Sequence, residues 1–197
     1  MTKYTSAWGP ADTEADGPTV ILTDESGRSI TCYVELTLEI EDQEYALLHP
    51  VDYPVEIFSW VEDQESGEET LVGIDESELA QIFDTAKAVL AEQNLTLKNT
   101  ALSLTVDGDL PEIDEDEVIT LEMENGAGAE EEEYQPLATG FFHKEQEYAI
   151  YTPLNPMLLV SRVKPGQAPE LLSPEEFQAL QPLLEQHLAD QLFEDLE

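Results

Sequence analysis

Carboxylates are the side chains most able to do chemistry in this chain, which holds 45 Asp and Glu against 7 Lys and Arg. Two kinds of carboxylate chemistry have recognisable spacings. A calcium loop needs oxygen ligands at alternate positions, a Gly at its sharp turn and a distal Glu. Asp107 and Asp109 in "DGDLPEIDEDE" (107–117) begin such a pattern, but Pro111 takes the third ligand position and no Gly follows it. The stretch reads as a solvated acidic loop with weak, nonspecific affinity for divalent cations, and no cofactor is expected. A glycosidase-type pair sets a carboxyl of raised pKa opposite a second carboxylate. With so many acids some pair always matches, so spacing selects none. His49, His143 and His187 have no metal-ligand spacing, and no Ser or Cys nucleophile motif accompanies them. Each reads as structural or exposed. There is no G-x-G-x-x-G and no P-loop. Catalysis is left unassigned, leaning away from an enzyme.

The charge is more informative. A formal net charge of -38 repels nucleic-acid phosphates and anionic membranes and attracts basic surfaces and cations. Glu130, Glu131, Glu132 and Glu133 form a like-charge block that reads as an exposed, flexible segment. Tyr33, Phe58, Trp60, Phe141, Phe142, Tyr148 and Tyr151 lie in strand patterns, where they serve either core packing or an aromatic surface that docks a partner. Glu56, Phe58 and Trp60 share the face opposite Val55, Ile57 and Val61. The candidate partner surface is therefore Phe58 and Trp60 with Glu130 to Glu133. Cys32 is the single cysteine, so no intramolecular disulfide forms, as suits a reducing compartment. No stretch reads as a signal peptide, a transit peptide or a bilayer span, and a cytoplasmic protein without membrane insertion is expected.

Strands and helices must hold these residues. Residues 1–18 are polar and carry two Gly-Pro pairs, the pattern of a flexible arm. Thr19–Thr23 reads as a strand and "DESG" (24–27) as a turn. Ile30, Cys32, Val34, Leu36, Leu38 and Ile40 alternate with mostly polar residues, the period of a half-buried antiparallel strand. "EDQ" turns the chain, Tyr45–Leu48 returns, and Pro50 stops it. Val55–Val61 and Leu71–Ile74 are strands around a charged loop. Asp75-x-x-Glu78 looks like a capping box, and Leu79, Ile82, Phe83, Ala86, Val89 and Leu90 follow at helical spacing.

The second half repeats that order. Leu97–Val106 reads as a strand, 112–117 as an acidic loop and Val118–Met123 as a strand. "ENGAGAEEEE" (124–133) reads as an enlarged acidic turn before the strand Tyr134–His143. "KEQEYAIYTP" (144–153) then echoes "EDQEYALLHP" (41–50). Leu158–Val163 matches the strand ending at Val61. Ser173-Pro174-Glu175-Glu176 is a capping box with Pro at the first helical position. Phe177, Leu180, Leu184, Leu188 and Leu192 then share a helical face, with Pro182 expected to kink or divide the helix. The shared order marks an internal duplication.

The run from "TDESG" through "EYALLHPVD" to "IDESELAQIF" resembles the small acidic bacterial family known as domain-of-unknown-function family 1292. The two-module arrangement looks like the cyanobacterial and plastid family numbered 3727. That resemblance implies a photosynthetic lineage and a soluble compartment, either cyanobacterial cytoplasm or plastid stroma, and carries over no catalytic residue.

The expected fold is α+β. Two tandem modules, 19–95 and 96–197, would each fold an antiparallel β-meander against a C-terminal helix. The expected function is a non-enzymatic acidic binding protein, an assembly or regulatory factor on a basic protein partner. A nucleic-acid mimic in a basic groove and a carboxylate-dependent or metal-assisted enzyme are the alternatives. Sequence sets no oligomeric state.

Overall fold

The structure, a computed structural model, describes residues 18–62, 65, 67–125 and 128–194, without the side chains of 123–130, 174, 185 and 187–194. The arm expected over 1–18 lies outside these residues except for Pro18. Among the described residues the elements in chain order are β1 (Thr19–Thr23), β2 (Ser29–Ile40), β3 (Gln43–Pro50), β4 (Tyr53–Glu62), β5 (Glu69–Gly73), α1 (Glu76–Ala91), β6 (Thr96–Asn99), β7 (Leu104–Asp107), β8 (Ile119–Asn125), β9 (Gly128–His143), β10 (Gln146–Pro153), β11 (Leu159–Val163), β12 (Glu170–Leu171) and α2 (Pro174–Glu194).

The chain divides into two compact units that do not follow the sequence modules. One unit holds the sheet β1-β2-β3-β11-β12 with α2. The other holds the sheet β6-β7-β4-β10-β9-β8, with β5 also on β4, and α1. Each unit takes strands from both halves of the sequence. In the first, β3 pairs antiparallel with β11, Leu48 opposite Leu159 and Glu44 opposite Val163. In the second, β10 pairs antiparallel with β4, Tyr148 opposite Ser59 and Tyr151 opposite Glu56.

The duplicated motif sits at the two equivalent corners. Gln43 follows the β2–β3 turn, and its side-chain amide donates to the Val163 carbonyl at 2.9 Å and to Glu44 at 3.0 Å. Gln146 follows the β9–β10 turn and donates to the Trp60 carbonyl at 2.6 Å and to Glu147 at 3.1 Å. Each Gln thus ties its own hairpin to a strand from the other half of the chain. Both prolines close their strands as expected, Pro50 in β3 and Pro153 in β10.

The helices follow the same exchange. Asp75 caps α1 by accepting from the Glu78 amide at 2.8 Å. Ile82, Ala86 and Leu90 then pack with Val55 and Ile57 of β4, Leu137 and Phe141 of β9, and Tyr148 and Ile150 of β10. Ser173 and Glu176 form a reciprocal capping box on α2, at 2.9 and 3.2 Å. Leu180 and Leu184 pack with Leu38 and Ile40 of β2 and Val160 of β11. Pro182 is exposed, and the helix runs through it without division.

These facts overturn the α+β expectation. Among the described residues strands far outweigh helix, and the fold is two antiparallel sheets. Two segments depart from their sequence readings. The Leu97–Val106 stretch is two strands, β6 and β7, because Thr100 Oγ1 bonds the Ser103 carbonyl at 2.7 Å and Leu102 adopts φ 73° to reverse the chain. Glu130–Glu133 lies within β9, paired to β8, since Tyr134 is anchored in the core just beyond it. Nor does either meander keep a helix to itself.

Ile150 has no exposed surface and sits at the centre of the α1-facing core. Ile150→Ala should cost about 2–5 kcal/mol in a denaturant titration. Arg162 at 2.6 Å and the Ser173 amide hold the Glu176 carboxyl down at about 2, below the usual carboxylate range. A depressed folded pKa gives stability above the unfolded value that is lost as pH falls toward the folded one. Glu176→Gln should therefore lower the thermal midpoint near neutral pH, and the difference should close between pH 4.5 and about 2.

A candidate acidic docking face

The β8–β9 hairpin in the second unit presents the acidic run. Residues directly opposite on paired strands share a sheet face. Glu122 lies opposite Glu131 and Thr120 opposite Glu133, and these side chains are exposed. The other face pairs Leu121 with Glu132 and Ile119 with Tyr134. It turns inward, and Ile119 and Leu121 pack on Phe58, Tyr134, Ala149 and Tyr151. Alternation along one strand therefore splits the acidic block. Glu131 and Glu133 face outward, Glu132 is half-buried, and Glu130 pairs with Met123 through the backbone, its side chain lying outside the described residues.

Glu132 meets a second half-buried carboxylate through a tyrosine. The Tyr134 hydroxyl lies 2.9 Å from Glu132 Oε2 and 3.3 Å from Glu56 Oε1. One hydroxyl proton can serve only one of them at a time. Burial, then the Glu132 charge, pushes the Glu56 carboxyl above its ordinary range despite the Tyr134 contact. Burial and both carboxylates push the Tyr134 phenol well up. Tyr134 has no exposed surface, and its hydroxyl lies between the two carboxyls.

Phe58 is a core residue, 3% exposed, with edge contacts to Tyr134 and Tyr151 at 5.8 and 6.0 Å between ring centroids. It offers no docking surface. Trp60 is half-buried and reaches the Thr139 carbonyl at 3.5 Å through its indole N–H. The most exposed aromatic among the described residues is Phe142, 64% exposed, opposite Glu147 of β10. Gly140 lies close to the same glutamate, since a Cβ there would come 2.6 Å from Glu147 Oε1 and the Glu147 side chain would have to shift.

Two other groups of polar residues are mutually satisfied. A cleft of about 270 Å³ between α1 and the β9–β10 corner is lined by Glu78, Gln81, His143, Lys144 and Tyr148, among others. There the Tyr148 hydroxyl donates to Glu78 at 2.8 Å, His143 Nδ1 lies 3.0 Å from Thr85 Oγ1, and Lys144 donates to Gln81 at 3.3 Å. Burial and the Glu78 contact push Tyr148 up to about 12. These bonds pin the helix to the sheet. Asp107, the start of the calcium-like pattern, pairs with Lys98 at 3.3 Å, and Lys98 also holds Asp52 at 2.9 Å. Among the described residues no three His, Cys, Asp or Glu side chains are placed to hold a metal ion. His49 pairs with Glu35, and the His187 side chain lies outside the described residues. Among the described residues no helix is long and apolar enough to cross a membrane.

Known proteins resemble this chain in two consecutive stretches. Residues 25–91 match the family described as Protein of unknown function (DUF1292), and residues 94–191 match Protein of unknown function (DUF3727). A UPF0473 protein of Clostridium botulinum (strain Loch Maree / Type A3) is 39% identical over 62 residues, which cover 30% of this chain and 73% of that protein. The chain belongs to this family, with the DUF1292 and DUF3727 regions in tandem. No solved structure matches it.

Replacing Glu56 by Gln removes a half-buried charge and keeps an acceptor for Tyr134. Because the folded pKa of Glu56 is raised, its ionisation weakens the fold at neutral pH and this penalty fades on acidification. Glu56→Gln should raise the thermal midpoint near neutral pH, and the gain should shrink as pH falls through the carboxylate range.

Proposed function

We propose that this is a non-enzymatic acidic binding protein that docks on a basic protein partner as an assembly or regulatory factor. The observation that carries the reading is Glu122 set directly opposite Glu131 on the exposed face of the β8–β9 hairpin. Like charges opposed across a sheet cost stability. A cationic surface laid against them relieves that cost, and the overall charge of -38 steers such a partner in. The same surface attracts divalent cations diffusely. The compartment is cytoplasmic, in cyanobacterial cytoplasm or plastid stroma, a placement supported by the family resemblance and by a lone cysteine without a disulfide partner.

The test compares the parent with Glu122→Lys/Glu131→Lys, each immobilised in native lysate at low salt. The reversed pair should weaken retention of basic proteins by roughly tenfold, and added salt should elute them from the parent. Equal retention by both proteins would overturn the reading. If duplex DNA displaces the retained protein, the partner is a nucleic-acid-binding one and the chain acts as a mimic.

A further inference from the structure

We propose that the two halves of this chain are each other's binding partners, and that a second copy of the chain can supply the half that one copy lacks. The exchange of strands carries the inference. β3 finds its outer neighbour, β11, only in the second half of the sequence. β10 finds its own, β4, only in the first. Gln43 and Gln146 each make one bond across these two junctions, to Val163 and to Trp60, and one to the next residue of their own strand. The apolar faces are shared in the same way. Leu180 and Leu184 from the second half cover Leu38 and Ile40 from the first. Ile82, Ala86 and Leu90 from the first half cover Leu137, Phe141 and Ile150 from the second. Separated halves would leave both edges unpaired and both faces bare.

The covalent link between the halves is short, and within it the Gln93 side-chain amide donates to the Leu137 carbonyl of β9 at 2.6 Å. It is the turn after α1, where Gln93 and Asn94 are exposed and Asn94 adopts φ 63° to reverse the chain. It joins α1 to β6 within a single unit. If that turn opened, the first half of one copy could pair with the second half of another, and the reverse. The result is a closed, two-fold exchanged dimer with the same junctions.

The experiment uses the full chain with a protease site inserted between Gln93 and Asn94. After cleavage the two fragments should co-elute with the mass of the parent, 22.0 kDa, and keep its circular dichroism. They should part in denaturant and reassemble on dilution. Fragments that separate in native buffer would overturn the proposal. A second variant deletes Gln93 and Asn94, so that α1 cannot reverse into β6 within one copy. It should roughly double in mass while keeping the parent's spectrum. A folded monomer would overturn exchange between copies. Should the deletion not fold, the cleaved chain and its mixing with a tagged cleaved copy decide: hybrid pairs of tagged and untagged halves support the proposal, and their absence overturns it.

Discussion

The outer edges of β3 and β10 must be hydrogen-bonded, and neither half of the sequence can do this for itself. A buried strand edge left unpaired strands a row of N–H and C=O groups, each costly to desolvate. β11 and β4 supply the missing partners by crossing over. Once those two pairings form, the rest follows from chain continuity. α2 comes directly after β12 and lands on β2, while α1 comes directly after β5 and lands on β9 and β10. The repeated Gln-Glu-Tyr-Ala corner is where both crossings are secured.

Much of the local structure is legible in the sequence. The alternation from Ile30 to Ile40 gives β2, Pro50 and Pro153 end their strands, and Asp75 and Ser173 cap their helices. These signals are local, and local chemistry settles them. The strand exchange is not legible, because β3 reads the same whether its neighbour comes from its own half or from the other. Period-two patterning reports which face is buried and says nothing about which strand lies alongside. The acidic block misleads for a related reason. Four Glu in a row look like a loop, yet the core anchor at Tyr134 and the facing strand β8 hold them extended.

The same alternation sorts the carboxylates by chemistry. Neighbours in sequence end up in different media, Glu131 in water and Glu132 against an aromatic cluster. Composition alone treats them as equals. Glu56 carried no signal of its own, because its environment is made by Tyr134 from the other half of the chain. Neither the tyrosine's inward place on β9 nor its two carboxylate partners could be read from spacing, because the β9–β10 register shifts along the strand.

Strand exchange also orders events in time. A ribosome releases the chain from its N-terminus, so β2, β3 and β4 emerge long before β10 and β11 exist to pair with them. Until then the nascent chain carries exposed strand edges, the usual route to aggregation. It also carries a dense negative charge that keeps such chains apart. A net charge of -38 sets like chains against one another through that interval, when the sheets cannot yet close.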